Sequence, residues 1–177
     1  IAKVFDLTAA STGHNEKALA RLGKTNYKTI HIHPGSHAGY YPGAFPISLK
    51  LIFEVPSGKI LGAQGIGYDG VDKRIDVIAT AIKGNLTVRD ITNLELAYAP
   101  PYSSAKDPVN MAGYVASNIL DGLVDVVYYN EIDKLVADGG WLVEVREPVE
   151  REMGFMEGSI NIPLHEIRER LDEIPRD

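Results

Sequence analysis

Apolar and polar positions along the chain change period several times, and each change predicts an element. Ile1 to Ala10 is a β-branched and apolar run that reads as one strand, with Ala9-Ala10-Ser11-Thr12-Gly13 as its exit. Asn15 then opens a short helix through Ala18, Leu19 and Leu22, closed by Gly23. Tyr27 to His33 alternates Tyr27, Thr29, His31 and His33 on one face against Lys28, Ile30 and Ile32 on the other, the period of a strand. Ile47 to Val55 and Ile60 to Tyr68 flank the turn Pro56-Ser57-Gly58-Lys59 and read as a hairpin. From Asp72 to Asn85, Ile75, Ile78, Ala79 and Ile82 recur at helical spacing, the pattern of an amphipathic helix. Thr87 with Asp90 three residues on has the form of a capping box. Asp107-Pro108 begins a further helix, Asp as cap and Pro at the first helical position. Its apolar side is Val109, Ala112, Ala116, Ile119 and Leu120, and the small Ala112, Gly113 and Ala116 permit close packing against a neighbour.

Near Asp121-Gly122 the pattern shifts to short alternating units. A helix is expected at 130–137, a strand at Trp141 to Val145, a helix from Pro148, a strand at Ser159 to Ile162 and a helix at Leu164 to Leu171. The fold class predicted is therefore α+β over 1–121, an antiparallel sheet with flanking helices, followed over 122–177 by a partial α/β segment with a parallel sheet. Some 56 residues carrying half a sheet bury too little surface to be robust alone.

Composition narrows the function. The 177 residues carry a net charge of -6, which argues against nucleic acid as a partner. No apolar run reaches the roughly 18 residues that span a bilayer, and no signal peptide opens the chain, so a cytoplasmic setting is the default and no membrane partner is expected. A chain that starts at Ile1 in a strand-like run reads as a fragment. With no cysteine it holds no disulfide, thiolate metal site or thiol nucleophile of its own.

Three constellations invite chemistry. Gly65-Ile66-Gly67-Tyr68-Asp69-Gly70 spells G-x-G-x-x-G between a strand and a helix, and Asp90 stands 20 residues beyond. A dinucleotide site also requires a parallel strand after the helix; here the strand is the return arm of a hairpin, so no cofactor-binding residue is assigned. His31, His33 and His37 lie close together, but without a carboxylate or cysteine nearby to complete a tetrahedral site they read as structural or interface histidines, and no metal ligand is assigned. Tyr40-Tyr41-Pro42-Gly43 and Tyr98-Ala99-Pro100-Pro101 place tyrosines in loops rather than at core positions, where they either pack on prolines or present a phenol for chemistry.

The segment from Leu94 to Tyr114, with Ala97-Tyr98-Ala99-Pro100-Pro101-Tyr102-Ser103-Ser104-Ala105-Lys106-Asp107-Pro108-Val109-Asn110 at its centre, resembles the C-terminal dimerisation domain of the coenzyme A-disulfide reductase and NADH oxidase branch of the flavin disulfide reductases. The resemblance implies a homodimer and upstream domains binding FAD and NAD(P)H. It also implies a coenzyme A disulfide or persulfide as substrate, reduced by hydride passed from the nicotinamide through the flavin to an upstream cysteine. It implies catalytic roles for Tyr40 and Tyr98, which reach the partner subunit's cysteine. The His-Pro motif of glutathione-reductase-like relatives is absent, and Tyr98-Ala99-Pro100-Pro101 occupies its region. Within the resemblance the glycine-rich strand packs closely on a neighbouring surface. Lys106-Asp107-Pro108-Val109-Asn110 reads as a helix cap with an ion pair, and the resemblance puts that helix at the dimer contact. Such a fragment is expected to dimerise, to bind neither cofactor and to be inert alone. The alternatives are a non-catalytic binding module or part of an NADH oxidase or peroxidase.

Over 122–177, Trp141-Leu142-Val143-Glu144-Val145-Arg146-Glu147-Pro148, Gly158-Ser159-Ile160-Asn161-Ile162-Pro163 and Glu166-Ile167-Arg168-Glu169-Arg170 resemble the first half of a rhodanese domain. Glu144 stands where that family usually has Asp, and Phe155-Met156 where His-Ile is common. The sulfur-accepting cysteine loop would follow Asp177.

Overall fold

The computed structural model describes residues 1–175; the last two residues of the segment expected over 122–177 lie outside them. The chain divides into two compact units, Ile1–Asp125 and Val126–Asp177.

The first unit is a five-stranded antiparallel sheet in the order β1-β2-β5-β4-β3, from β1 (Ala2–Val4), β2 (Leu7–Gly13), β3 (Tyr27–Ile32), β4 (Ile47–Glu54) and β5 (Ile60–Gly67). The single strand expected at Ile1 to Ala10 is instead a hairpin. Phe5 takes φ 53 so that Val4 pairs with Leu7 across a two-residue turn, and the stretch read as an exit is the body of β2. Tight hairpins require such a left-handed residue, and Phe gives no sign that it will supply it.

Helix α1 (Glu16–Arg21) is capped by Asn15, whose side chain accepts from the Ala18 N–H at 2.8 Å. Helix α2 (Val71–Lys83) lays Val71, Ile75, Ile78 and Ala81 on the sheet, against Ile30, Leu49, Leu51, Phe53 and Ala63. Helix α3 (Val88–Thr92) starts from the Thr87–Asp90 capping box, and α4 (Pro108–Leu120) from a second box made by Asp107 and Asn110. Val88, Ile91, Val109, Ala112 and Ala116 complete one continuous core.

That core covers one face of the sheet. The other carries Ala9, Ser11, His31, His33, Ser48, Lys50, Gln64 and Ile66 around an open depression of about 580 Å³. His31 lies opposite Lys50, and Lys50 opposite Gln64.

The second unit contains α5 (Ile132–Ala137), β6 (Val143–Glu144), α6 (Pro148–Arg151) and β7 (Ile160–Asn161), with β6 and β7 parallel. The strands are much shorter than expected. The helix expected over Leu164 to Leu171 is replaced by successive turns leading into a 3-10 turn at Leu171–Glu173. Leu164 and Leu171 are both exposed, so no buried face offsets the cost of nucleating a helix there. Among the described residues no helix is long and apolar enough to cross a membrane.

Candidate functional site

The two tyrosine loops come together. Tyr40 follows β3, Tyr98 follows α3, and their phenol oxygens lie 3.2 Å apart, a hydrogen bond in which either is able to donate. Tyr40 is 77% exposed and Tyr98 48%. The hydrogen bond to Tyr40 is the first cause that raises the Tyr98 phenol above its ordinary value of 10, so that Tyr98 remains a proton donor throughout the neutral range. Tyr41, Phe45, Tyr68 and Tyr102 are exposed as well, with the Phe45 and Tyr68 ring centres 5.2 Å apart.

Both loops are pinned near the phenols. The Ala38 N–H donates to the Ser103 carbonyl at 3.0 Å, joining one loop to the other. The Tyr40 loop is closed at its neck by Ser36 N–H to Phe45 O at 2.8 Å, and the Tyr41 N–H returns to Ala38 O at 2.9 Å. In the Tyr98 loop, Tyr102 and Ser103 both donate to Ala99 O, at 2.9 and 3.1 Å. Two prolines directly after Ala99 limit the backbone further.

Beneath the loops lies a buried ion pair that the reading of the sequence missed. Arg74 and Asp107 are 1% and 2% exposed and 3.0 Å apart. The Arg74 guanidinium donates to Gly70 O at 3.0 Å, to Ser36 O at 2.8 Å and to Ser103 Oγ at 3.3 Å. Ser103 Oγ in turn donates to Asp107 Oδ2 at 2.6 Å. Asp107 is thus both the ion-pair partner and the cap of α4, accepting from the Val109 N–H at 3.0 Å. The neighbouring Lys106 lies instead 5.7 Å from the centre of the Tyr114 ring. A signal was present: Arg74 falls between Val71 and Ile75 in the apolar stripe of α2, a position from which a charge enters the core only when paired.

The G-x-G-x-x-G segment has a different use. A Cβ on Gly65 would lie 3.0 Å from Val71 Cγ1, and one on Gly67 3.2 Å from both Pro46 O and Val71 Cγ2. Gly70 adopts φ +69, and a side chain there would meet the Arg74 guanidinium at 2.1 Å. The first two glycines let α2 approach β5, and the third leaves room for the buried arginine.

His31 and His33 share the open face of the sheet, whereas His37 is buried. His33 Nδ1 lies 3.1 Å from Ser48 Oγ on the open sheet face, and the buried His37 Nδ1 lies 3.1 Å from Ala38 O, its ring edge-on to Tyr41. Burial first, then the Lys50 charge, lowers the pKa of His31. Among the described residues no group of three or more His, Cys, Asp or Glu is placed to hold a metal.

In the second unit, Arg146 donates to Glu144 at 2.7 and 2.9 Å and to Gly154 O at 2.8 Å. The Asn161 amide donates to the Glu144 and Arg146 carbonyls, both at 2.9 Å. These two side chains hold the end of β6.

Residues 1–109 match the pyridine nucleotide-disulphide oxidoreductase dimerisation domain. A coenzyme A disulfide reductase from Staphylococcus epidermidis is 46% identical over 116 residues, 66% of this chain and 26% of that protein. The solved structure of reduced Bacillus anthracis CoADR-RHD superposes with a TM-score of 0.97 at 64% identity, covering 99% of this chain and 31% of that one. A NAD-dependent persulfide reductase from A. fulgidus gives 0.86 at 46% identity, again over 99% and 31%. The chain thus spans between a quarter and a third of the length of these relatives.

Proposed function

The chain belongs to the pyridine nucleotide-disulphide oxidoreductases, through their dimerisation domain, and we propose that it is the homodimer-forming part of an enzyme reducing a coenzyme A disulfide or persulfide. In this reading Tyr40 and Tyr98 complete the active site of the partner subunit. The observation that carries it is the pair of exposed phenols 3.2 Å apart on two anchored loops, in a sequence without a cysteine of its own. An exposed aromatic surface of this kind is what a twofold partner would cover.

The chemistry asked of the phenols is modest. A thiolate leaves when a disulfide is opened, and a protonated phenol donates a hydrogen bond to it or supplies its proton. With two phenols bonded to each other, one proton lies between the oxygens and the other is free to point at the sulfur. Tyr40, the more exposed, is the outer donor and Tyr98 supports it from behind.

The reaction also needs FAD and NAD(P)H, and the G-x-G-x-x-G segment, the one dinucleotide-like motif read in the sequence, does not fit a nucleotide. The space a phosphate would need beside Gly65 and Gly67 is filled by Val71 and by the Pro46 carbonyl. We therefore place both cofactors, and the reactive cysteine, in the rest of the polypeptide. Residues 122–177 we read as the front half of a fused rhodanese domain; the parallel pairing of β6 with β7 and the Arg146 and Asn161 clamps support this. A cytoplasmic setting belongs to the same proposal.

The test is turnover of coenzyme A disulfide, coenzyme A persulfide and dioxygen by the full-length protein with NADH and NADPH. Tyr40→Phe keeps the ring and removes only the hydroxyl that points at the sulfur. A hydrogen bond to a charged partner contributes roughly 1.5–3 kcal/mol, so a loss of about 10- to 150-fold is expected on the sulfur substrates. Wild-type turnover in Tyr40→Phe/Tyr98→Phe, or turnover on dioxygen alone, would overturn the reading.

A further inference from the structure

We propose that Arg74 is the positioning residue of the phenol pair: its buried guanidinium ties the Tyr40 loop to the Tyr98 loop and thereby sets the separation of the two oxygens. The proposal rests on the reading that these phenols act on the substrate, and it goes further by assigning their geometry to a residue that touches neither.

A charged side chain in the apolar stripe of α2 needs a reason. Val71, Ile75 and Ile78 show what that surface otherwise holds, and an apolar residue at position 74 would fill the space without desolvating an ion. Burying the Arg74–Asp107 pair is a poor way to gain stability, since the desolvation of both ions offsets most of their attraction. The donors indicate another role. One goes to Gly70 O at the residue capping its own helix, while Nη2 reaches Ser36 O in one loop and Ser103 Oγ in the other. The planar guanidinium fixes the angle between these bonds, which an ammonium on a flexible stem does not.

The anchor points lie close to the chemistry. Tyr40 is four residues from Ser36 and Tyr98 five from Ser103, and the intervening backbone is closed by the Tyr41–Ala38, Ser103–Ala99 and Ala38–Ser103 hydrogen bonds. A shift of either anchor is therefore carried to a phenol. The bond between the phenols raises the Tyr98 pKa, which makes that titration a reporter of the spacing.

The experiment uses Arg74→Lys in the full-length protein, which keeps a positive charge opposite Asp107. Turnover of coenzyme A disulfide should fall on the order of 10- to 100-fold, as misplacement of reacting groups does. In a Tyr40→Phe/Tyr98→Phe background the same substitution should cost nothing further. Independently of activity, fluorotyrosine incorporation with 19F detection should show the Tyr98 titration moving down toward that in Tyr40→Phe. If Arg74→Lys melts early, Ser103→Ala takes its place: it removes one tether, leaves the ion pair, and should move both readouts in the same direction by less. An unchanged Tyr98 titration in these variants, or an equal loss of activity with and without the phenols, would overturn the proposal. If the double Phe variant turns over like wild type, the functional reading fails, while the 19F titration still decides whether Arg74 holds the pair.

Discussion

Replacing Gly113 by alanine sets two effects of opposite sign against each other. Gly113 sits inside α4, where alanine is favoured over glycine by about 0.8–1.0 kcal/mol. It also sits where α4 crosses α3. An added Cβ would lie 2.8 Å from Ile91 Cγ1, 2.8 Å from Val88 O and 3.0 Å from Thr92 Cγ2. The Ile91 methylene can rotate away, but the Val88 carbonyl belongs to the backbone of α3, so relief requires α4 to withdraw. Overpacking of this kind costs about 1–3 kcal/mol. Withdrawal also stretches the bonds one turn earlier, where the Asn110 amide donates to Ile91 O at 2.9 Å and Leu94 O at 3.0 Å, each worth about 1 kcal/mol. The packing terms win, and Gly113→Ala is expected to destabilise this helix pair by roughly 1–2 kcal/mol. Amide hydrogen exchange over α3 and α4 should then quicken by roughly 5- to 30-fold. Unchanged or slower exchange would show that helix propensity prevails and that the close approach of the two helices has been overrated.

Asp107→Asn retains an oxygen to cap α4 but leaves the Arg74 guanidinium without its counter-charge; breaking a buried pair costs roughly 3–5 kcal/mol, and a loss below 1 kcal/mol in denaturant unfolding would contradict the burial described. In the second unit, hydrogen bonds from Arg146 lower the Glu144 carboxyl from 4.5 to about 2. Because the folded value is the lower one, the contribution is complete above 4.5 and is lost as the pH falls through about 2. Carboxyl NMR should show Glu144 titrating near 2 and Arg146→Gln returning it toward 4.5, and a wild-type midpoint near 4.5 would refute the pairing.

What could be read from the sequence was local. The Asn15, Thr87 and Asp107 caps involve groups within three residues of one another, and all three helices start where those residues predicted. The hairpin expected from Ile47 to Val55 and Ile60 to Tyr68 was legible because the turn residues Pro56-Ser57-Gly58-Lys59 separate two strand-like runs. The Phe5 turn was not, since a two-residue hairpin without glycine or asparagine leaves no mark. A helix was expected at Leu164 because a charged run resembles an amphipathic face whether or not a surface is there to receive it; turns form instead. Arg74 escaped notice for the opposite reason: Ser36, Ser103 and Asp107, which receive its guanidinium, lie 29 to 38 residues away, and only the fold unites them. The two tyrosine loops were singled out by position and by resemblance. That their hydroxyls meet is a long-range fact no spacing could supply.

The central claim is that the phenols serve the site of the other subunit, and a mixed dimer tests it most directly. One subunit carries a substitution of the reactive cysteine proposed for the rest of the polypeptide, with Tyr40 and Tyr98 intact; the other keeps that cysteine and carries Tyr40→Phe/Tyr98→Phe. If the phenols cross the interface, the intact cysteine meets intact tyrosines, and the purified mixed dimer reduces coenzyme A disulfide at about half the wild-type rate per dimer, one site of two being complete. If they act within their own subunit, no complete site exists, and activity no higher than that of the Tyr40→Phe/Tyr98→Phe homodimer would contradict the account.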